Sequence, residues 1–146
     1  MNLGTQHQAA REAAARLPVL EAGLALLAGG AVGARLVLYG APLPTIPGET
    51  PSEATALVEI PLATGIGAVD PATHQLRLDT PLEAPITGAD PATGTAAAWA
   101  RIYDGHGDWW ADCTVSATGD GGEVQLDSPM LYQGASVRVT SAVFQG

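Results

Sequence analysis

The chain has 146 residues, six of them basic and all six arginine, against fifteen acidic, for a formal net charge of −9. That length suits one domain around one core, and 47% hydrophobic residues with 14% charged exclude a disordered acidic tail. With a pI near 4.4 and no basic cluster, direct binding of nucleic acid through phosphate neutralisation is not expected.

Residues 5 to 28 form the one helical region, rich in alanine, leucine, glutamine, glutamate and arginine. Pro18 divides it, so the sequence predicts a short helix to about Arg16 and a second starting near Pro18 and ending at Gly29-Gly30. Leu17, Leu20, Leu24 and Leu27 recur at spacings of three and four, an apolar stripe that a body or a partner must cover. Gln6 to Ala15 has almost no large apolar residue and reads as an arm ordered by contact, or as a frayed terminus. Glu12, Arg16 and Glu21 interrupt the apolar residues, so no secretory signal is visible, and no run approaches the roughly 20 residues that span a bilayer. A soluble protein without membrane contact is expected.

From Ala34 the pattern changes to period two with frequent glycine and proline, predicting about seven strands. They are Ala34 to Gly40, Leu57 to Leu62, Gln75 to Asp79, Thr95 to Tyr103, Trp109 to Val115, Glu123 to Asp127 and Ser136 to Phe144. The loop with Pro42, Pro44, Pro47 and Pro51 is too proline-rich for a sheet interior. Asp-Pro-Ala-Thr occurs at Asp70 to Thr73 and again at Asp90 to Thr93, each fitting a type I turn with Asp first. With no helices between the strands, the expected fold is all-β: an antiparallel β-sandwich or small barrel over residues 31–146, carrying an N-terminal helical arm over residues 1–30.

Few residues suggest chemistry. Asp104-Gly-His106-Gly-Asp108, with Asp112 beyond, offers three carboxylates and an imidazole, but it departs from a calcium loop and reads better as a solvated hairpin tip. His7, His74 and His106 lie far apart in sequence, unlike the tight pairing of zinc sites. Cys113, the single cysteine, cannot form an intramolecular disulfide; in phase with Trp109, Ala111 and Val115, it reads as a small buried hydrophobe. Gly65-Ile-Gly67 lacks the third glycine of a dinucleotide fingerprint, and no serine sits in a nucleophile elbow. No catalytic residue, cofactor or metal is expected. Trp99, Arg101 and Tyr103 fall on one strand face, either a ladder inside the monomer or the centre of an interface. Trp110 points away from Trp109, so one of the two belongs to the core and the other to the surface. Arg35, Arg77, Arg101 and Arg138 fall on separate strands, each placed for a specific carboxylate on its own sheet or on a neighbouring subunit.

The order of features from about Arg16 to Phe144 resembles small structural proteins of tailed-bacteriophage and prophage virion gene clusters. The resemblance rests on a helix ending in glycine, the strand Arg35-Leu-Val-Leu-Tyr-Gly40, a proline-rich loop, and Leu57-Val-Glu-Ile-Pro-Leu62. It continues through Gly94-Thr-Ala-Ala-Ala-Trp99-Ala-Arg101-Ile-Tyr103, Trp110-Ala-Asp-Cys-Thr-Val115, Glu123-Val-Gln-Leu-Asp-Ser128, Tyr132-Gln-Gly134 and Gly134-Ala-Ser-Val-Arg-Val-Thr-Ser141. The turn after Tyr103 is more acidic and aromatic than that pattern. The resemblance implies a non-enzymatic virion component, assembled in the host cytoplasm: a capsid decoration or head-associated subunit, or a neck or tail part. Its partners would be major capsid, neck or tail proteins and further copies of itself. The expected contact residues are Leu20, Leu24, Leu27, Trp99, Arg101, Tyr103 and Trp110. A competing reading is a carbohydrate-binding sandwich that uses Trp109, Trp110 and Tyr103 as a stacking platform with Asp104 and Asp108.

Overall fold

The computed structural model describes residues 4–46, 48–52, 55–62 and 66–145, so Pro47 of the proline-rich loop and Gly65 lie outside the described residues. The chain is mostly β, with one N-terminal helix. Helix α1 (Thr5–Ala28) is continuous, which corrects the expectation of two helices. Pro18 has no N–H for the Ala14 carbonyl, but both residues are exposed, so water can take the acceptor and the helix runs on. Every described side chain from Thr5 to Arg16 is exposed, whereas Leu20 and Leu27 are buried in the main core and Leu24 packs against it. Three of the four leucines of the stripe are therefore covered by the chain's own sheet, and Leu17 is half-buried outside that core. Among the described residues no helix is long and apolar enough to cross a membrane.

Eleven strands follow among the described residues. They are β1 (Arg35–Tyr39), β2 (Ala56–Pro61), β3 (Gly67–Asp70), β4 (Gln75–Leu78), β5 (Leu82–Pro85), β6 (Thr95–Ala96), β7 (Trp99–Tyr103), β8 (Trp109–Ala117), β9 (Val124–Leu126), β10 (Met130–Leu131) and β11 (Ser136–Gln145). Nine form one curled sheet in the order β2-β1-β7-β8-β9-β11-β4-β3, with β5 also on β11. Along β11, residues Ser136–Val139 pair with β5 and Val143–Gln145 with β4. After β5 the amides of Thr87 and Gly88 both donate to the Leu57 carbonyl of β2, so the curl brings β2, one end of this path, to the segment that follows β5. The predicted strand from Thr95 to Tyr103 changes partner midway: β6 pairs with β10, then Ala97 donates to the Pro129 carbonyl and Ala98 to that of Tyr39.

The sheet is mixed, not purely antiparallel, because β8 and β9 run parallel with Val115 opposite Val124. Parallel neighbours ordinarily need a connection of a dozen residues or more. Here six residues suffice, because Gly119 and Gly121 take positive φ and the loop is caught by side chains of β8. The Gly122 amide donates to Ser116 Oγ at 2.9 Å and the Glu123 amide to Thr114 Oγ1 at 3.0 Å. Both Asp-Pro-Ala-Thr segments form the expected turn: Asp70 Oδ1 accepts from the Ala72 amide at 2.9 Å and Asp90 Oδ1 from Ala92 at 2.8 Å. The Ala72 amide holds the Asp70 carboxyl, and the Thr93 and then the Ala92 amide the Asp90 carboxyl, below the usual aspartate range.

The hairpin from β7 to β8 carries a bulge, since Ile102 opposes Ala111 while Tyr103 opposes Trp109. The extra residue, Trp110, slips the alternation by one. Cys113 and Val115 thus share the core side with Trp110 and Ala111, and Trp109 leaves to the other face with Asp112, contrary to the phase read from the sequence. Trp110 packs edge-on to Phe144 at 5.5 Å, and its Nε1 donates to the Gly23 carbonyl at 3.0 Å, fastening α1 to the sheet. We expect Leu27→Ala to lower unfolding free energy by about 2–5 kcal/mol in urea titration. A loss below about 1 kcal/mol, the level of an ordinary surface substitution, would place the helix off the core.

Candidate functional site

Strand β1 is buried on both sides. Leu36 and Leu38 enter the main core, while Val37 and Tyr39 form a second, small cluster with Trp99 on the outer face. Tyr39 and Trp99 stack with centroids 4.5 Å apart. Register brings Arg101 of β7 opposite Asp112 of β8. The guanidinium, on a residue only 3% exposed, is gripped at two points: Nε to Oδ1 at 2.6 Å and Nη2 to Oδ2 at 2.9 Å. Trp109 Nε1 adds a third bond to Oδ1 at 3.1 Å, and the cation lies 5.4 Å from the Trp99 ring and 5.6 Å from that of Trp109. Asp112 raises the Arg101 pKa against the opposing effect of burial.

Beside this pair, Arg35 lies 4.0 Å above the Tyr103 ring and 3.4 Å from the Glu59 carboxylate. Burial, and then a hydrogen bond with Tyr103, push the Tyr39 phenol well above its ordinary pKa. A hollow of about 390 Å³ is lined there by Arg35, Tyr39, Glu59 and Tyr103 together with Thr50 and Thr87. Pro42, Pro44 and Pro51 of the proline-rich loop border Trp99, and Gly48 lies against the Trp109 ring. Chemically, the face is a row of matched pairs. Arg138 of β11 likewise meets its cross-strand partner Glu83 at 2.6 Å, whereas Arg77 bonds the Gln75 side-chain oxygen and not a carboxylate.

The seven residues expected at contacts separate into two groups on opposite sides of the sheet. Leu20, Leu24, Leu27 and Trp110 lie between α1 and the inner face; Trp99 and Arg101 are buried in the outer ladder, and Tyr103 is half-buried beneath Arg35. Trp109, Trp110 and Tyr103 consequently share no single stacking surface. The turn is docked through Asp104 and Gly105 while His106 and Asp108 at its tip remain exposed, which corrects the sequence reading in part. Asp104 and Gly105 are buried, the Gly105 amide donates to the Leu26 carbonyl at 3.3 Å, and Val32 donates back to the Gly105 carbonyl at 3.0 Å. The turn thus serves the free carbonyls at the C-terminus of α1. Asp104 Oδ1 is occupied by the amides of His106 and Asp108, at 2.8 Å and 3.1 Å. Among the described residues no three metal-ligating side chains converge. Tyr39, Asp112, Arg35 and Glu59 were not singled out in the sequence for this face; the strand register that unites them is the signal that identifies them.

Comparison with protein-family models, curated proteins and solved structures gives no match for this chain.

Two outcomes test the geometry. Asp112→Ala leaves a buried guanidinium unpaired and is expected to cost about 3–5 kcal/mol, while the double change Arg101→Met with Asp112→Leu costs less. Equal losses in both would contradict a buried pair. Burial pushes the Cys113 thiol far above its usual pKa, with the Glu123 and Asp112 carboxylates adding to the effect. An alkylating reagent at pH 8 should therefore leave Cys113 unmodified in the folded protein and label it fully in denaturant; rapid labelling of the native protein contradicts this placement.

Proposed function

We propose that the chain is a non-enzymatic structural subunit of a tailed-phage particle, a capsid decoration or other head-associated accessory protein. The observation that carries the reading is the division of α1: Leu20 and Leu27 are locked into the core while the described side chains from Thr5 to Arg16 stand exposed. A helix anchored in its own subunit at one end and exposed along the other is suited to gripping a neighbour. On the outer face, Leu43 and Ile46 of the proline-rich loop are exposed, and Trp109 is 46% exposed. These supply an apolar edge for the second contact, on the major capsid protein or on a neck or tail protein. In this reading the curled sheet works as a small barrel or sandwich whose many copies bind by avidity.

The resemblance to small virion proteins supports this assignment, and the dispersed, internally paired arginines agree with a body built for packing. The test is fractionation of particles induced from the strain that encodes the chain. The protein should co-sediment with intact particles, and Ile46→Ser with Trp109→Ser should lower the bound fraction. Recovery of the wild-type protein solely in the particle-free fraction would overturn the assignment.

A further inference from the structure

Three arginines of the sheet meet a carboxylate across a strand pair, and one of those pairs is left open. Arg101 and Arg138 approach Asp112 and Glu83 to 2.6 Å, the distance of a charge-assisted hydrogen bond. Arg35 stops 3.4 Å from Glu59, beyond that range. Its guanidinium lies over the Tyr103 ring, 4.0 Å from the centroid. That contact holds the cation in place without engaging a carboxylate, so N–H donors remain for a further partner. Glu59 is exposed over 62% of its side chain and can turn without disturbing any packing.

Both charges line the hollow of about 390 Å³ on the outer face, a size at which small-molecule sites occur. Tyr39 and Tyr103 are hydrogen-bonded to each other there, and two hydroxyls so joined keep one hydrogen to donate outward. Val37, Pro51 and Ala56 give the same hollow an apolar wall. These features select the ligand. A sugar ring needs an open aromatic face, and here Arg35 covers Tyr103 while Trp99 covers Tyr39. A simple anion meets Glu59 at close range and a protein of net charge −9. A zwitterion adds no net charge: its carboxylate matches a guanidinium at two points and its ammonium matches a carboxylate. In an α-amino acid both groups sit on one carbon, which suits two protein charges 3.4 Å apart. Beyond the virion reading, and independent of it, we infer that this hollow binds a free α-amino acid with an aliphatic side chain. Arg35 takes the carboxylate, Glu59 the ammonium, and the wall of Val37, Pro51 and Ala56 the side chain.

The experiment is a titration of the isotope-labelled full chain with L-leucine, followed through its amide and indole N–H signals by heteronuclear NMR. Saturable shifts are expected at amides of β1 and β2 and at the Trp99 indole, which stacks on Tyr39, and none at the Trp110 indole, which is bonded to α1 on the inner face. Isovalerate keeps the carboxylate and the side chain, and isoamylamine the ammonium and the side chain; each should bind at least about tenfold more weakly than leucine. Arg35→Met and Glu59→Gln should each weaken leucine binding by a similar factor, whereas Arg138→Met, at the other exposed pair, should leave it unchanged. Should Arg35→Met fail to fold, Glu59→Gln alters only an exposed carboxylate and decides the matter alone. No saturable shift with leucine, either analogue binding as tightly as leucine, or unaltered binding in Glu59→Gln would each overturn the inference. None of these outcomes bears on whether the chain co-sediments with particles, so the two proposals fail separately.

Discussion

The bulge at Trp110 is the constraint on which the molecule turns. By spending one extra residue on β8 it drives two consecutive side chains, Trp110 and Ala111, toward the same side of the sheet. The indole then reaches Phe144 in one direction and the Gly23 carbonyl in the other. The C-terminal half of α1 is held by that hydrogen bond, by Leu20 and Leu27, and at its end by the Gly105 amide. The same slip sends Trp109 outward, where it completes the cage around Arg101. One irregularity in one strand therefore joins the helix anchor to the outer ladder.

The outer ladder has its own logic. A guanidinium buried to this degree is tolerated only with its charge matched and its donors used. Asp112 supplies both, and Trp99 and Trp109 provide aromatic faces in place of water. Buried pairs of this kind fix register more than they add stability, because any slip of β7 against β8 leaves a charge uncompensated. Strand β1, flanked by β2 and β7 and apolar on both faces, has its own register contacts in Arg35, which stands opposite Tyr103 of β7 and reaches Glu59 of β2. Arg101, which looked available for a partner, is committed to its own chain.

Much of this was legible in the residues. Alternation located strands such as Gln75 to Leu78, the repeated Asp-Pro-Ala-Thr gave the same turn twice, and the leucine spacing marked the buried side of α1. What stayed hidden depended on contacts distant in sequence. Pro18 reads as a break because local rules assign the Ala14 carbonyl no partner, yet exposure solves that problem. Strands β3 and β5 contain Gly67 and Pro85 and pair only because β4 and β11 are already in place. The parallel alignment of β8 with β9 relies on Thr114 and Ser116 catching a glycine loop, which no periodicity announces. Likewise the acidic turn has the composition of a solvated tip, and the burial of Asp104 and Gly105 at its base follows from what the end of α1 lacks.

The central claim is that α1 is one helix whose C-terminal half belongs to the core of the β body. Amide hydrogen exchange resolved along the helix tests it most directly, because it reports protection residue by residue in the intact chain. The account predicts that the amides from Glu21 to Ala28 exchange as slowly as those of β1 and β7, with rates changing along the same helix toward its exposed end. Exchange from Glu21 to Ala28 at the rate of an unstructured segment, while β1 and β7 remain protected, would contradict it.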